Sequence, residues 1–452
     1  MTVTAVVALV IFLVTIVLVI TNRIEASAAA LIGVAAMIWT GVMSEQEAFL
    51  YVDWNVMAIL LSIWIIAGYF GKTGVPEWLA ARALALSRGH SGMLVMILSM
   101  LAGVLSMFID NVVVILMLAP VAIPLVRHLG ISLVPVILMI GFSANFMGTA
   151  LLLGDLPPQM LHSVSGAEFF DFVWQFGRPS SFPLLMITFV MTLALMYAYG
   201  FRVRRSAPSP VGAAAAGVAP FEAATPAALP VDARIPDRKF AALVVGMFVL
   251  TIVGMAFREV LDVRLGFIAM TGTLVLIVLI EVLWRGHDKP HFESILGELD
   301  WRAILFYIGL FALVGGLEKV GILEHIAHAL TPLFQTNLAL GATLLYWVTI
   351  PIVGIVEHDA YILTFLYTIR DLKDQGVEPW PLWWMLLWSG TLGSNLTVAG
   401  APALFVALNI CEREEARKIP LTEFLRWSVP FTIVASALCY VLGMLVWVLP
   451  YA

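Results

Sequence analysis

The chain has 452 residues, of which 62% are hydrophobic and 12% are charged, and its formal net charge is −6. A mean hydropathy of +1.00 excludes an ordinary water-soluble protein, in which about a quarter of the residues are charged. The two cysteines, Cys411 and Cys439, exclude a disulfide framework and do not form the spaced clusters of zinc sites.

Six apolar stretches follow one another in the first half of the chain, and such stretches predict membrane-spanning helices. The first has no positive charge before it and is long for a signal peptide, so we interpret it as a span. The fourth has no polar loop around its central pair, Asp110 and Asn111, which predicts a re-entrant hairpin whose tip stops inside the membrane. Two ordinary full spans are the alternative. The predicted stretches are Val3–Ile20, Ala26–Met43, Trp54–Phe70, Met93–Val126, Leu133–Val164 and Phe182–Phe201.

A segment rich in alanine and proline divides the chain, and such a segment forms neither a packed core nor a span. We therefore predict a first membrane unit at residues 1–201, a linker at 202–239 and a second membrane unit at 240–452. The stretches predicted in the second unit are Phe240–Phe257, Leu265–Trp284, Ala303–Leu317, Leu338–Ile369, Leu382–Ile410 and Trp427–Leu449.

The two units repeat each other. Asp53-Trp54 recurs as Asp300-Trp301, 247 positions later. The same separation links Gly68 to Gly315, Lys72 to Lys319, Gly74 to Gly321, Asp110 to Glu357 and Asn111 to His358. Asn145 and Asn395 match at a separation of 250, which predicts a small insertion. Internal duplication is typical of secondary transporters.

The predicted fold is an all-α integral membrane protein made of two inverted repeats. Each repeat has about five transmembrane helices, one re-entrant helical hairpin and one broken helix, and an odd number of spans turns the second repeat upside down. Most of the 24 lysines and arginines fall on one side of this topology. That bias predicts a cytoplasmic linker with both termini outside, in a bacterial inner membrane.

Asp110 is the principal candidate for the transport chemistry. A carboxylate deep in a bilayer is costly, so it normally faces a cavity or a partner, and it can exchange a proton for a cation. The alternative is an N-cap of the second hairpin helix, because aspartate is a favoured cap. The two roles are compatible.

The second predicted hairpin tip carries three ionisable residues in an apolar run, Glu357, His358 and Asp359. A proton relay or a cation site is the functional interpretation, since the pKa of histidine is ordinarily near neutral. The structural alternative is a looser tip that is wetted from outside.

Two helix breaks occur at matching places. Glycine and proline interrupt both runs, and freed carbonyls at such breaks coordinate cations. A packing kink is the alternative for either break. The candidate ligands at the breaks are Asn145, Gly148, Thr149, Gly154, Asp155, Asn395, Thr397 and Gly400. A monovalent cation would be held by Asp110, Asn145, Glu357 and Asn395.

The motifs resemble those of the ion transporter superfamily, in the branch of arsenite efflux permeases, NhaD-type Na+/H+ antiporters and the melanosomal P protein. The matching runs are Phe108 to Val112 with Pro120, Asn145 through Gly148-Thr149 to Gly154-Asp155 and Pro157, and Gly309 to Lys319. This sequence departs from the branch at Leu156, where a proline is usual, and at Glu357-His358, where Asp-Asn is usual.

The resemblance implies a rocking or elevator-like carrier, often a homodimer, with its sites at the hairpin tips and breaks. Dicarboxylate carriers of the superfamily have Ser-Asn-Thr where this chain has Asp110-Asn111-Val112, which favours proton or cation exchange over sodium–dicarboxylate symport. The expected partners are membrane lipid and a small inorganic ion or small anion. No nucleic acid is expected, and no cofactor beyond the coupling ion, H+ or Na+.

The sequence thus predicts a proton-coupled secondary transporter of a small inorganic ion, by Na+/H+ antiport or arsenite-type efflux. A citrate or dicarboxylate carrier is the first alternative, and a channel or a degenerate assembly protein is the second. An enzyme is not predicted, because the chain has no His-Glu-x-x-His, Gly-x-Ser-x-Gly or cofactor fingerprint.

Overall fold

A computed structural model of the chain describes residues 2–21, 23–87, 90–128, 130–202, 235–284, 290–356 and 358–452. These residues are almost entirely helical. In the first half the helices are α1 Val3–Thr21, α2 Ala26–Trp39, α3 Glu45–Tyr51, α4 Trp54–Gly71, α5 Val75–Ser87, α6 Ser91–Ser106, α7 Asn111–His128, α8 Leu133–Met147, α9 Leu156–Ser165 and α10 Ser181–Met196. In the second half they are α11 Arg238–Ala256, α12 Arg258–Leu261, α13 Leu265–Leu283, α14 Phe292–Glu298, α15 Trp301–Lys319, α16 Ile322–Thr336, α17 Leu338–Val353, α18 His358–Asp374, α19 Pro379–Ser394, α20 Pro402–Glu415 and α21 Leu421–Gly443.

Short 3-10 and π turns extend some of these helices, and one small hairpin joins α9 to α10. Its strands, β1 Trp174–Gln175 and β2 Arg178–Pro179, pair antiparallel. The hairpin is tied to the second half because the Trp384 indole donates to Gln175 Oε1 at 3.1 Å.

The composition of the helices confirms an all-α integral membrane protein. Among the described residues, six helices are long and apolar enough to cross a membrane, and six shorter helices are similarly apolar. Large apolar side chains on α11 and α13 point outward, including Val249, Leu250, Phe267, Leu274 and Val278. Such a surface is suited to lipid.

The order of helices in the second half follows that of the first. The starts of α4 and α15, of α5 and α16, and of α7 and α18 are each separated by 247 positions, the separation found in the sequence. The caps repeat as well, since Asp53 and Asp300 both accept backbone N–H groups of the helix that follows. The inverted insertion of the two units, and their bounds at the linker, stay predictions.

The match of Asn145 with Asn395 at a separation of 250 stays a prediction. Helices α8 and α19 end at Met147 and Ser394, 247 positions apart, while their starts, and those of α9 and α20, are 246 positions apart. The helix bounds of the two halves thus repeat at 246 to 247 positions.

The second predicted span differs in length. It ends at Trp39 rather than Met43, because Gly41 turns the chain with φ of +74°. The sequence did not predict α3, α5 and α14, which are too short or too polar to be read as spans. Helix α16 is amphipathic, and its buried side is formed by Ile322, Leu323, Ala327 and Phe334.

Packing interleaves the two halves. Helix α2 packs on α15, and α4 packs on α13. Helix α9 of the first half packs on α18 of the second, while α20 of the second half packs on α7 and α8 of the first. As a result, each broken helix contacts the hairpin of the other half, and the site is built from both.

Candidate functional site

The first hairpin tip joins α6 to α7 and ends on Asp110. The carboxylate accepts the N–H groups of Val112 and Val113 through Oδ1, at 2.9 and 3.3 Å, so Asp110 caps α7 as the sequence suggested. The residue is only 5% exposed. Capping fixes the carboxylate at the tip and turns it inward, where a charge needs a partner.

The first break lies between α8 and α9. Asp155 caps α9, because its Oδ1 accepts the N–H of Leu156 at 2.9 Å. Gly154 lies against the backbone of the tip, and a Cβ at this position would come within 2.1 Å of Ser106 O. A side chain of any size would therefore push the break away from the hairpin.

Amide side chains connect the tip to the break. Asn111 Nδ2 donates to Asn145 Oδ1 at 3.1 Å and to Asp155 Oδ2 at 2.8 Å. All three side chains are at most 4% exposed. The three residues that the sequence singled out separately thus form one buried network.

The second tip and break have a different chemistry. His358 Nδ1 lies 3.0 Å from Gly400 O, and His358 Nε2 lies 3.5 Å from Asp359 Oδ1. The Thr397 hydroxyl donates to Gly354 O, which ties this break to its tip. Glu357 lies outside the described residues. Where the first break has Asp155, the second has Ala401, the cap of α20, so this break supplies no carboxylate.

The two breaks meet through Asn145. Its Nδ2 lies 2.9 Å from Ser394 Oγ, 3.2 Å from Asn395 Oδ1 and 3.3 Å from Thr391 O. Asn145 and Asn395 are both fully buried. They are therefore partners across the interface of the two halves.

Two candidates lie beside this network rather than in it. The Thr149 hydroxyl turns back to Phe146 O at 3.5 Å, while its carbonyl accepts Ser181 Oγ at 2.8 Å. Gly148 packs against the side chain of Asp155. These two residues shape the first break without offering a side-chain ligand to it.

An open cavity of about 430 Å³ leads to Asp110. Its walls are mainly apolar and come from α4, α5, α7, α14 and α15. The charged residues in its lining are Lys72, Glu77, Asp110, Glu298 and Asp300, and Lys72 Nζ pairs with Glu298 Oε1 at 2.7 Å. Four carboxylates against one paired lysine make this cavity attractive to cations.

A second, smaller space lies behind Asp110. It is lined by Leu60, Ile63, Trp64, Asp110, Leu153, Gly154, Asp155 and Gln159. Asp110 therefore borders both the open cavity and this narrow space. Sequence reasoning missed Trp64, Gln159 and Ser394, although Gln159 lies four residues after Asp155, one turn along the same helix face.

The second half contains an ion pair that corresponds to the Lys72 ion pair of the first half. Lys319, 247 positions after Lys72, pairs with Glu47 of α3 at 2.6 Å. The hydrogen bond from Lys319 lowers the pKa of Glu47 to about 2. Each lysine thus holds a short helix of the opposite half, α14 in the first case and α3 in the second.

Within the described residues, no group of three or more histidine, cysteine, aspartate or glutamate side chains is arranged to hold a metal ion. The first site instead offers two carboxylates surrounded by amide and carbonyl oxygens. Oxygen donors of this kind suit hard cations rather than transition metals.

Comparison with known proteins gives one family. The sequence model of the family described as CitMHS, citrate transporter, matches residues 16–389, which is most of the chain.

The relatives extend over almost the whole length. An uncharacterized transporter of Mycobacterium tuberculosis is 29% identical over 441 residues, which is 96% of each chain. The magnetosome protein MamN of Magnetospirillum gryphiswaldense is 25% identical over 89% of this chain and 90% of its own. The human P protein is 24% identical over 94% of this chain and 58% of its own. The resemblance to this branch of the ion transporter superfamily is thereby confirmed.

Proposed function

Because the chain belongs to the CitMHS citrate transporter family, we propose that this membrane transporter is a secondary carrier that exchanges protons for a small inorganic cation. The proposal names Asp110 and Asp155 as the groups that the proton and the cation share. The single observation that supports it best is that both carboxylates line one narrow, buried space.

Two carboxylates that face one buried space repel each other when both are ionised, and burial makes the repulsion stronger. A bound proton or a bound cation removes this repulsion, so binding of one weakens binding of the other. Competition of this kind produces exchange, because binding of the cation displaces the proton. Asn111 donates to the Asp155 carboxylate and to Asn145, and so holds Asp155 in place without adding charge.

The open cavity supports the same choice. Its acidic lining concentrates cations next to Asp110. The one lysine of the lining, Lys72, forms an ion pair with Glu298. Arsenite-type efflux, the other form of the prediction, gains no specific support from these side chains.

Citrate carriage is the second candidate, and the description of the family favours it. The cavity is large enough for a small organic acid, at about 430 Å³. A free citrate anion, however, would face the carboxylates of Glu77, Asp110, Glu298 and Asp300. Citrate would therefore need a bound cation to neutralise it, and the acidic site would serve that cation.

The test uses the full chain, purified and reconstituted in vesicles that contain a pH-sensitive dye. Addition of NaCl or LiCl to acid-loaded vesicles should raise the internal pH, as protons leave in exchange for the cation. Parallel vesicles receive arsenite, citrate or citrate with Mg2+. A response to citrate with Mg2+, with none to Na+, would replace the proposal by the second candidate.

Asp110→Asn should abolish the exchange, because the variant cannot release a proton and has lost one of the two charges. Asp374→Asn, in an exposed position of α18, is the matched control and should exchange at the rate of the unmodified protein. Full exchange by folded Asp110→Asn protein would remove Asp110 from the mechanism. Counterflow of labelled Na+ then separates a carrier from a channel, since only a carrier shows it.

A further inference from the structure

Gln159 is a buried polar group that the proposed exchange does not yet use. It lies in α9, one turn after Asp155, and its side chain is 1% exposed. Its Oε1 has no hydrogen-bond partner among the described residues. A buried acceptor without a partner is rare in proteins, and it indicates a place for a ligand or a cost that some function requires.

The surroundings of this oxygen point to the kind of ligand. Gln159 lines the narrow space together with Asp110 and Asp155, and the rest of the lining is apolar apart from Trp64 and Gly154. The empty volume is about 180 Å³, yet no point within it admits a water-sized sphere. A water molecule needs a cavity of roughly 10–15 Å³ by that measure, so water does not satisfy the Gln159 oxygen here.

We infer that this space is a site for a dehydrated small monovalent cation, Na+ or Li+, with Gln159 Oε1 as its uncharged ligand. This inference rests on the proposed exchange of protons for a cation. Hard cations take oxygen ligands at short distance, and the site offers carboxylate oxygens and one amide oxygen. Asp110 borders the open cavity on one side and this space on the other, so a hydrated ion reaches Asp110 first and sheds its water there.

Gln159 then determines which ion is accepted. The carboxylates attract any cation. A neutral oxygen in a space without room for water binds only an ion that is small enough to enter without its hydration shell. A larger ion such as K+ would have to push the walls apart. The Trp64 indole lies beside the Asp110 carboxylate in the same lining, but an N–H donor cannot ligate a cation, so Trp64 is part of the wall.

The experiment measures the cation concentration that gives half of the maximal dye response, with Na+, Li+ and K+ in turn. The unmodified protein should require at least about tenfold less Na+ or Li+ than K+. Gln159→Met keeps the side-chain length and removes the oxygen, so the half-maximal Na+ concentration should rise about tenfold, while the response at saturating Na+ persists. The tenfold figure corresponds to the loss of one ligand to a charged group.

Two further variants sharpen the test. Gln159→Glu retains an oxygen at the same place, although it adds a negative charge, and should still require less Na+ than K+ for a half-maximal response. Gln175→Met removes a different buried glutamine of the same half, whose Oε1 accepts the Trp384 indole, and should leave the Na+ dependence unchanged.

Equal use of Na+ and K+ by the unmodified protein would overturn the inference, as would a folded Gln159→Met protein with unchanged half-maximal Na+. In both cases the exchange itself would still be seen, so the proposed function would stand. No exchange with any of the three cations would instead refute the proposed function. If Gln159→Met does not fold, the cation order of the unmodified protein decides.

Discussion

Gly154 provides the sharpest test of how the first break and the first tip depend on each other. It precedes the Asp155 cap, and its Cα faces the backbone where α6 ends. An alanine Cβ would lie 2.1 Å from Ser106 O, 2.5 Å from Gly148 O and 2.9 Å from Met107 C. All three neighbours are backbone atoms, so no side-chain rotation can relieve the contact.

The size of the effect follows from these distances. Carbon–oxygen contacts in proteins are rarely shorter than about 3.3 Å, so the break and the tip must separate by roughly 1 Å. Forcing an extra carbon into packed structure costs about 1–3 kcal/mol. A displacement of about 1 Å at a functional site can also lower a rate by roughly a hundredfold. We therefore expect Gly154→Ala to lose much of its exchange activity and several degrees of Tm.

The assay compares Gly154→Ala with Gly246→Ala. Gly246 lies in α11 with nothing within 4 Å of its would-be Cβ, so its alanine variant should keep its activity and be as stable or more stable. The fluorescence Tm of both proteins is measured in the same detergent, and the proton exchange rate is measured in vesicles.

A Gly154→Ala protein with the Tm and exchange rate of the unmodified protein would refute this reasoning. It would show that the tip and the break do not touch in the working protein. A loss of Tm with full activity would show that their contact stabilises the fold without positioning Asp110.

Two other variants test the network and the outer ion pair. Asn145→Leu leaves the side-chain nitrogen of Asn111 and the side-chain oxygen of Asn395 with one partner fewer. The variant should therefore lose about 1–3 kcal/mol of unfolding free energy and its exchange activity. An unchanged urea midpoint would contradict the network. Because Lys319 lowers the pKa of Glu47 from 4.5 to about 2, their ion pair stabilises the fold fully above pH 4.5, and this contribution is lost as the pH falls toward 2. The Tm difference between the unmodified protein and Glu47→Gln should therefore shrink over that range, and a constant difference in a Tm series from pH 7 to pH 3 would argue against it.

The sequence alone predicted the places where chemistry concentrates. The apolar runs are interrupted by Asp110, Asn111, Asn145 and Asp155. Polar groups within membrane-spanning segments cost enough free energy to mark a site without any knowledge of the fold. The repeat separation of 247 positions likewise located both hairpins, because helix ends follow local signals such as the aspartate caps Asp53 and Asp300.

What the sequence missed depends on contacts between distant segments. Gln159 and Trp64 look like ordinary residues of apolar helices, and only the closing of α4, α9 and the tip around one space makes them its walls. Ser394 and Asn395 show their role only where Asn145 reaches them across the halves.

The apolar pattern, the caps and the duplicated motifs by themselves determined that this is a helical membrane transporter with two interrupted elements in each half. The tertiary structure alone decided which polar groups meet. It joined Asn145 to Asn395, gave the second break no carboxylate, and enclosed Asp110, Asp155 and Gln159 around one space. The physical reason is that burial and spacing along a helix are local properties, whereas the partner of a buried polar group is fixed by how separate helices pack.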